Sequence, residues 1–188
     1  MWWYDRSTRT APFLRIGLAL SLAALTAACF QPLYGEQTVA GRPGLREALR
    51  GVDIAQIEAP AGSSEARLAV EIRNALLFDV TGGGPGSQPT HRLTIRMTTT
   101  RHNVIVDVNT IRPDIENYGI NVRYALIDLR TRQEAFTGNT FARVSYDIPG
   151  QQQRFARLRG LRDAENRAAK VIADNIRTRL ASYFVSGG

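Results

Sequence analysis

Cysteine, histidine and lysine are nearly missing from this 188-residue chain. The single cysteine, Cys29, excludes an internal disulfide framework and any cysteine-rich zinc site. The two histidines, His91 and His102, stand at opposite ends of one strand-like stretch, and no spacing around them supplies further metal ligands. No nucleophile elbow and no paired carboxylates occur either, so the chain is expected to be no enzyme and to carry neither metal nor cofactor. Long apolar runs are lacking too. The apolar stretch Ile16 to Ala28, thirteen residues without a charge, falls short of the roughly twenty apolar residues that a membrane-spanning helix needs. What is present is globular composition, 44% hydrophobic and 22% charged, at a length that gives one domain with a real core. The charge is basic, +7 overall, and among 24 basic residues Lys170 alone is a lysine.

The lone cysteine gains meaning from its place. Arg6, Arg9 and Arg15 form a positive leader, Ile16 to Ala28 an apolar stretch, and Leu25-Thr26-Ala27-Ala28-Cys29 a small-residue end, the order of a secretory signal. The end resembles a bacterial lipobox, with Thr26 where leucine is usual and Leu25 one place further out. That resemblance implies diacylglycerol and an N-acyl chain on Cys29, cleavage before it, and sorting to the outer membrane, because Phe30 is not aspartate. The alternative is a plain secretory signal cut near Ala28 with Cys29 a buried thiol. Residues 1–28 are thus expected to be signal, 29–50 a Gly- and Pro-punctuated lipidated tether, and 51–188 a single domain. A periplasmic body meets no nucleic acid, so the basic charge is not read as a nucleic-acid signature.

Within the body, Val52 to Ala59 reads as a short strand ending at Pro60. Ser63 and Ser64 offer helix caps ahead of Ala69, Ile72, Ala75, Leu76 and Val80 at helical spacing, and Gly82 to Gly86 stops that helix. The glycine run lacks the Lys-Ser/Thr of a phosphate loop and is read as a connector. Period-two patterns follow: Leu93, Ile95 and Met97 against Arg92, Thr94, Arg96 and Thr98, extended by Val104, Val106 and Val108. Tyr118, Ile120, Val122, Tyr124 and Leu126 then alternate with Asn121 and Arg123, and Phe136 to Tyr146 follows a polar turn. Gln151 to Ser182 reads as a long amphipathic helix with Leu158, Leu161, Ala168, Val171, Ile172, Ile176, Leu180 and Tyr183 as its apolar stripe. The expected fold is α+β, a two-layer sandwich of order β-α-β-β-β-α with two helices on one face of a four-stranded sheet.

From Cys29 to Pro149 the charges cancel, whereas from Gly150 onward seven arginines and Lys170 face only Asp163, Glu165 and Asp174. The densest part, Arg154, Arg157, Arg159 and Arg162, sits where the last helix begins. A solvated helix face explains such charge as readily as a binding site does, but cations at a helix N-terminus oppose its dipole.

The start Cys29-Phe30-Gln31-Pro32-Leu33-Tyr34-Gly35, the order of elements, and the tail from Arg162 to Leu180 are similar to the alphaproteobacterial lipopolysaccharide-assembly lipoproteins of the LptE family. The usual glycine after the cysteine is absent here. The resemblance implies an outer-membrane lipoprotein, lipid-anchored on the periplasmic side, that acts as plug and assembly partner of an LptD-like β-barrel and binds lipopolysaccharide. It points to Arg112, in the turn before the third strand, and to Arg154, Arg157 and Arg159 as lipopolysaccharide-binding candidates, since guanidinium groups match phosphates bidentately. The alternative is an outer-membrane lipoprotein that binds another anionic envelope lipid or polymer without a barrel partner.

Overall fold

The computed structural model describes residues 44–105, 113–148 and 154–187. Three helices and four strands follow in the order α1 (Leu45–Arg50), β1 (Val52–Ile54), α2 (Ser64–Thr81), β2 (His91–Ile105), β3 (Pro113–Asp128), β4 (Glu134–Asp147) and α3 (Arg154–Val185). The strands form one sheet in sequence order, with β1 parallel to β2 and the other neighbours antiparallel. That difference follows from the connections: β1 reaches β2 through a helix, whereas β3 and β4 are joined by a tight turn. The α+β class and the element order agree with the expectation from sequence.

Local chemistry sets the boundaries. The Ser63 hydroxyl accepts the Ala66 backbone N–H at 3.0 Å and caps α2, whose first turn carries Glu65. At the other end Gly82 adopts φ 66°, a left-handed conformation open to glycine, and its N–H closes on the Phe78 carbonyl. Between β3 and β4, the Asp128 carboxylate accepts the N–H groups of Arg130 and Thr131, and Arg132 takes the positive φ that completes the reversal. Those same backbone bonds hold the Asp128 carboxyl below its usual range.

One sheet face is covered. Leu93 and Ile95 of β2, and Tyr118, Ile120, Val122, Tyr124 and Leu126 of β3, are buried beneath the helices. Gly138 belongs to this face: a Cβ there would stand 2.5 Å from the Tyr124 hydroxyl, so the tyrosine ring fills the space that the glycine leaves. α2 contributes Leu68, Ala69, Ile72, Leu76 and Val80, and α3 contributes Ile172, Ile176 and Leu180 together with Ala164, Ala168, Ala169, Ala173 and Ala181. Five small residues on one stripe let α3 lie close against α2, β3 and β4. His91, Phe184, Tyr183, Phe136 and Tyr124 form a chain of ring contacts at 5.2–6.0 Å that fastens the far end of α3 to the sheet.

Several boundaries differ from expectation. The stretch read as tether to residue 50 becomes helical at Leu45, because Leu45 and Leu49 bury into the core at helical spacing. The architecture therefore has a third, short helix. β1 is only Val52–Ile54, although Ile57 beyond it is also buried. Leu158 and Val171 are exposed at 62% and 43% and do not belong to the buried stripe of α3. The stretch 106–108, expected to extend β2, lies outside the described residues.

Candidate functional site

The first turns of α3 carry two exposed apolar side chains. Phe155 is 80% exposed and Leu158 62% exposed. They are three residues apart and so adjacent on the helix surface. Arg159 and Arg162 follow each of them by four residues and are exposed, so two apolar side chains stand among guanidinium groups. Neither arginine pairs with a carboxylate among the described residues, and no acidic residue occupies the first turn of α3.

Arg157 is different. Its Nη2 lies 3.5 Å from the Glu116 carboxylate, which is 5% exposed and accepts the Tyr146 hydroxyl at 2.5 Å. Burial and the neighbouring Glu116 push the Tyr146 hydroxyl up to about 12. Gly160 lies over the same ring, where a Cβ would stand in ordinary contact with Tyr146 at 3.4 Å. One turn further on, Arg67 of α2 meets Glu165 of α3, a carboxylate 1% exposed whose Oε1 has no hydrogen-bond partner among the described residues. The head of α3 is thus held by two acid–base contacts on its inner side while its outer side carries Phe155, Leu158, Arg159 and Arg162.

Of the residues expected from sequence, Arg157 and Arg159 fall together on this head. α3 begins at Arg154. Cys29 and Arg112 lie outside the described residues. The strand ends that flank residues 106–112 share the sheet end where Glu116 meets Arg157, as Ile105 pairs with Pro113 and Ile115 with Asp147.

The second exposed surface was not singled out from sequence. The sheet face opposite the helices carries no covering element among the described residues, and Arg96, Thr98, Asn121, Arg123, Asn139 and Phe141 stand exposed on it. The polar alternation of Arg92, Thr94, Arg96 and Thr98 signalled a solvent face, but only the strand register shows which residues of β3 and β4 join it. No group of three or more His, Cys, Asp or Glu among the described residues could hold a metal ion, and no described helix is long and apolar enough to cross a membrane.

No family model and no curated protein matches the sequence. Among solved structures, the chain is similar to a candidate lipoprotein from Caulobacter crescentus CB15, with a TM-score of 0.59 at 20% identity over 77% of this chain and 98% of that one. It is also similar to the rare lipoprotein B from Shewanella oneidensis, with a TM-score of 0.52 at 15% identity over 72% of this chain and 96% of that one. At these identities the likeness is one of fold.

Proposed function

We propose that the chain is an outer-membrane lipoprotein, anchored through acyl chains on Cys29, that binds lipopolysaccharide and serves as plug and assembly partner of an LptD-like β-barrel. The observation that carries this reading is the outer side of the α3 head, where exposed Phe155 and Leu158 stand among Arg159 and Arg162. Such a surface matches an anionic amphiphile: apolar side chains enter the acyl boundary while guanidinium groups meet phosphates. The shared fold with lipoproteins supports the anchor, as does the position of Cys29 at the end of a short apolar leader. Each methylene buried in the leaflet contributes about 0.8 kcal/mol, so several acyl chains hold the protein firmly.

The test is copurification of the tagged full chain from cell envelopes in mild non-ionic detergent. A large outer-membrane β-barrel recovered in stoichiometric amount supports the reading, and its absence overturns the partnership. Binding of the same preparation to lipopolysaccharide aggregates, measured at low and high salt, addresses the ligand. A Cys29→Ala chain is expected to leave the membrane fraction after high-salt washing unless barrel contacts retain it, and expression without the barrel separates those two causes.

A further inference from the structure

We propose that the open face of the β2–β3–β4 sheet binds a phosphorylated saccharide, with Arg96 and Arg123 holding the phosphate. Arg96 and Arg123 are direct partners across the antiparallel β2–β3 pair, and Asn139 is the partner of Arg123 on β4, so the three make one row. Opposed side chains in such a row have Cβ atoms about 5 Å apart, and like charges there are destabilising. Arg92, on the same face of β2, is matched by the Asp53 carboxylate at 2.9 Å. Arg96 and Arg123 have no carboxylate partner among the described residues, so the sheet carries an unneutralised cationic pair at its centre.

The pair lines a shallow groove of about 770 Å³ that continues into a second of about 460 Å³, and Arg96, Arg123 and Asn139 border both. An oxyanion seated between two guanidinium groups receives paired charge-assisted hydrogen bonds and removes the repulsion. The rest of the lining is suited to a sugar. Thr94, Thr137, Thr98 and Asn121 present hydroxyl and amide groups along the groove, and Glu134 supplies one acceptor at its end. Phe141, 66% exposed, offers an apolar face beside Asn121 at the other end. This inference rests on the function proposed above only for the source of the ligand, the phosphate-bearing sugars of lipopolysaccharide. The surface itself is distinct from the head of α3.

The experiment is a titration of the full chain, isotope-labelled and held in a polyoxyethylene ether detergent that contains no sugar, with N-acetylglucosamine 6-phosphate. N-acetylglucosamine and inorganic phosphate are titrated separately. Saturable shifts at the Arg96 and Arg123 Nε–H groups and at the Asn139 amide are expected, with affinity at least about tenfold above that for either fragment. Arg96→Gln with Arg123→Gln is expected to weaken binding by about tenfold or more without loss of fold, because it also removes the repulsion. The inference is overturned if no shifts saturate on these strands, if the double variant binds as well as the wild type, or if phosphate alone binds as tightly. Barrel copurification is measured on the wild-type chain and on the double variant. A wild-type chain that binds the sugar phosphate but recovers no barrel refutes the partnership alone, and a wild-type chain that recovers the barrel without binding refutes the saccharide site alone.

Discussion

Replacing Arg157 and Arg159 one at a time by alanine separates what holds the head of α3 from what it presents. Arg157 faces Glu116, and removing one partner of a fully buried pair costs about 3–5 kcal/mol. Its guanidinium is 54% exposed, however, and an exposed pair contributes about 0–1 kcal/mol. Glu116 also keeps the Tyr146 hydroxyl after the change. Arg157→Ala is therefore expected to lower unfolding stability by about 1 kcal/mol, whereas Arg159→Ala should stay within about 0.5 kcal/mol of the wild type. On an anionic surface each basic side chain contributes about 1 kcal/mol, so both variants should bind lipopolysaccharide or anionic vesicles about fivefold more weakly. Urea unfolding followed by circular dichroism reads the first quantity, and cosedimentation at low and high ionic strength reads the second. Screening should erase most of the binding difference at high salt. The reasoning is refuted if Arg159→Ala binds like the wild type while Arg157→Ala does not, because the cluster would then act only as a fastening for the helix.

Tyr146→Phe should lose about 1.5–3 kcal/mol at neutral pH, the range for a hydrogen bond to a charged acceptor. The folded protein holds the Tyr146 proton up to about pH 12, against the ordinary 10, so the resulting stability is full below pH 10 and fades as pH rises toward 12. The gap between wild type and Tyr146→Phe should narrow across that window, and a constant gap would refute the assignment. Arg67→Ala leaves the buried Glu165 without its counter-charge; because Arg67 is 38% exposed, a loss of about 2 kcal/mol is expected rather than the full 3–5. Adding Glu165→Leu should recover most of it, and a loss under about 0.5 kcal/mol for Arg67→Ala alone would refute Arg67 as the counter-charge of Glu165. Ser63→Ala removes the cap of α2 and should lower stability by about 1 kcal/mol in the same urea assay.

Period and punctuation made most of the fold legible. Ser63 and Gly82 mark the ends of α2 as they do in the sequence, and the buried faces of β2 and β3 hold the residues that alternation selects. The misses have physical causes. Leu45 and Leu49 show helical spacing over barely two turns, too few residues to separate from a Gly-rich linker until their burial against α2 and α3 is seen. Leu158 fits the apolar stripe of α3 by spacing, but it does not join the buried core cluster, and the same periodicity that buries Ile172 leaves Leu158 62% exposed. Arg157 was legible as a cation near a helix start, yet its partner Glu116 lies 41 residues away on β3 and no local pattern joins them.

The distribution of charge shows why the open face escaped a reading by segments. Residues 29–149 carry equal numbers of arginines and carboxylates, which suggests a neutral body and throws attention on the basic last helix. Folding does not neutralise that body evenly. Asp53 goes to Arg92, the Glu65 carboxylate accepts Thr99, Glu116 goes to Tyr146 and Arg157, and Asp128 spends its oxygens on the turn between β3 and β4. These four carboxylates are engaged at edges, caps and the head of α3, and Arg96 and Arg123 face each other across the middle of the sheet. A balanced count along the chain therefore coexists with a local cationic surplus on the face, created by strand register alone. Because Glu116 pairs with Arg157 at the α3 head while no described carboxylate forms an ion pair with Arg96 or Arg123, the open face should show the steeper loss of phosphate affinity with salt, even though it belongs to the segment with no net charge.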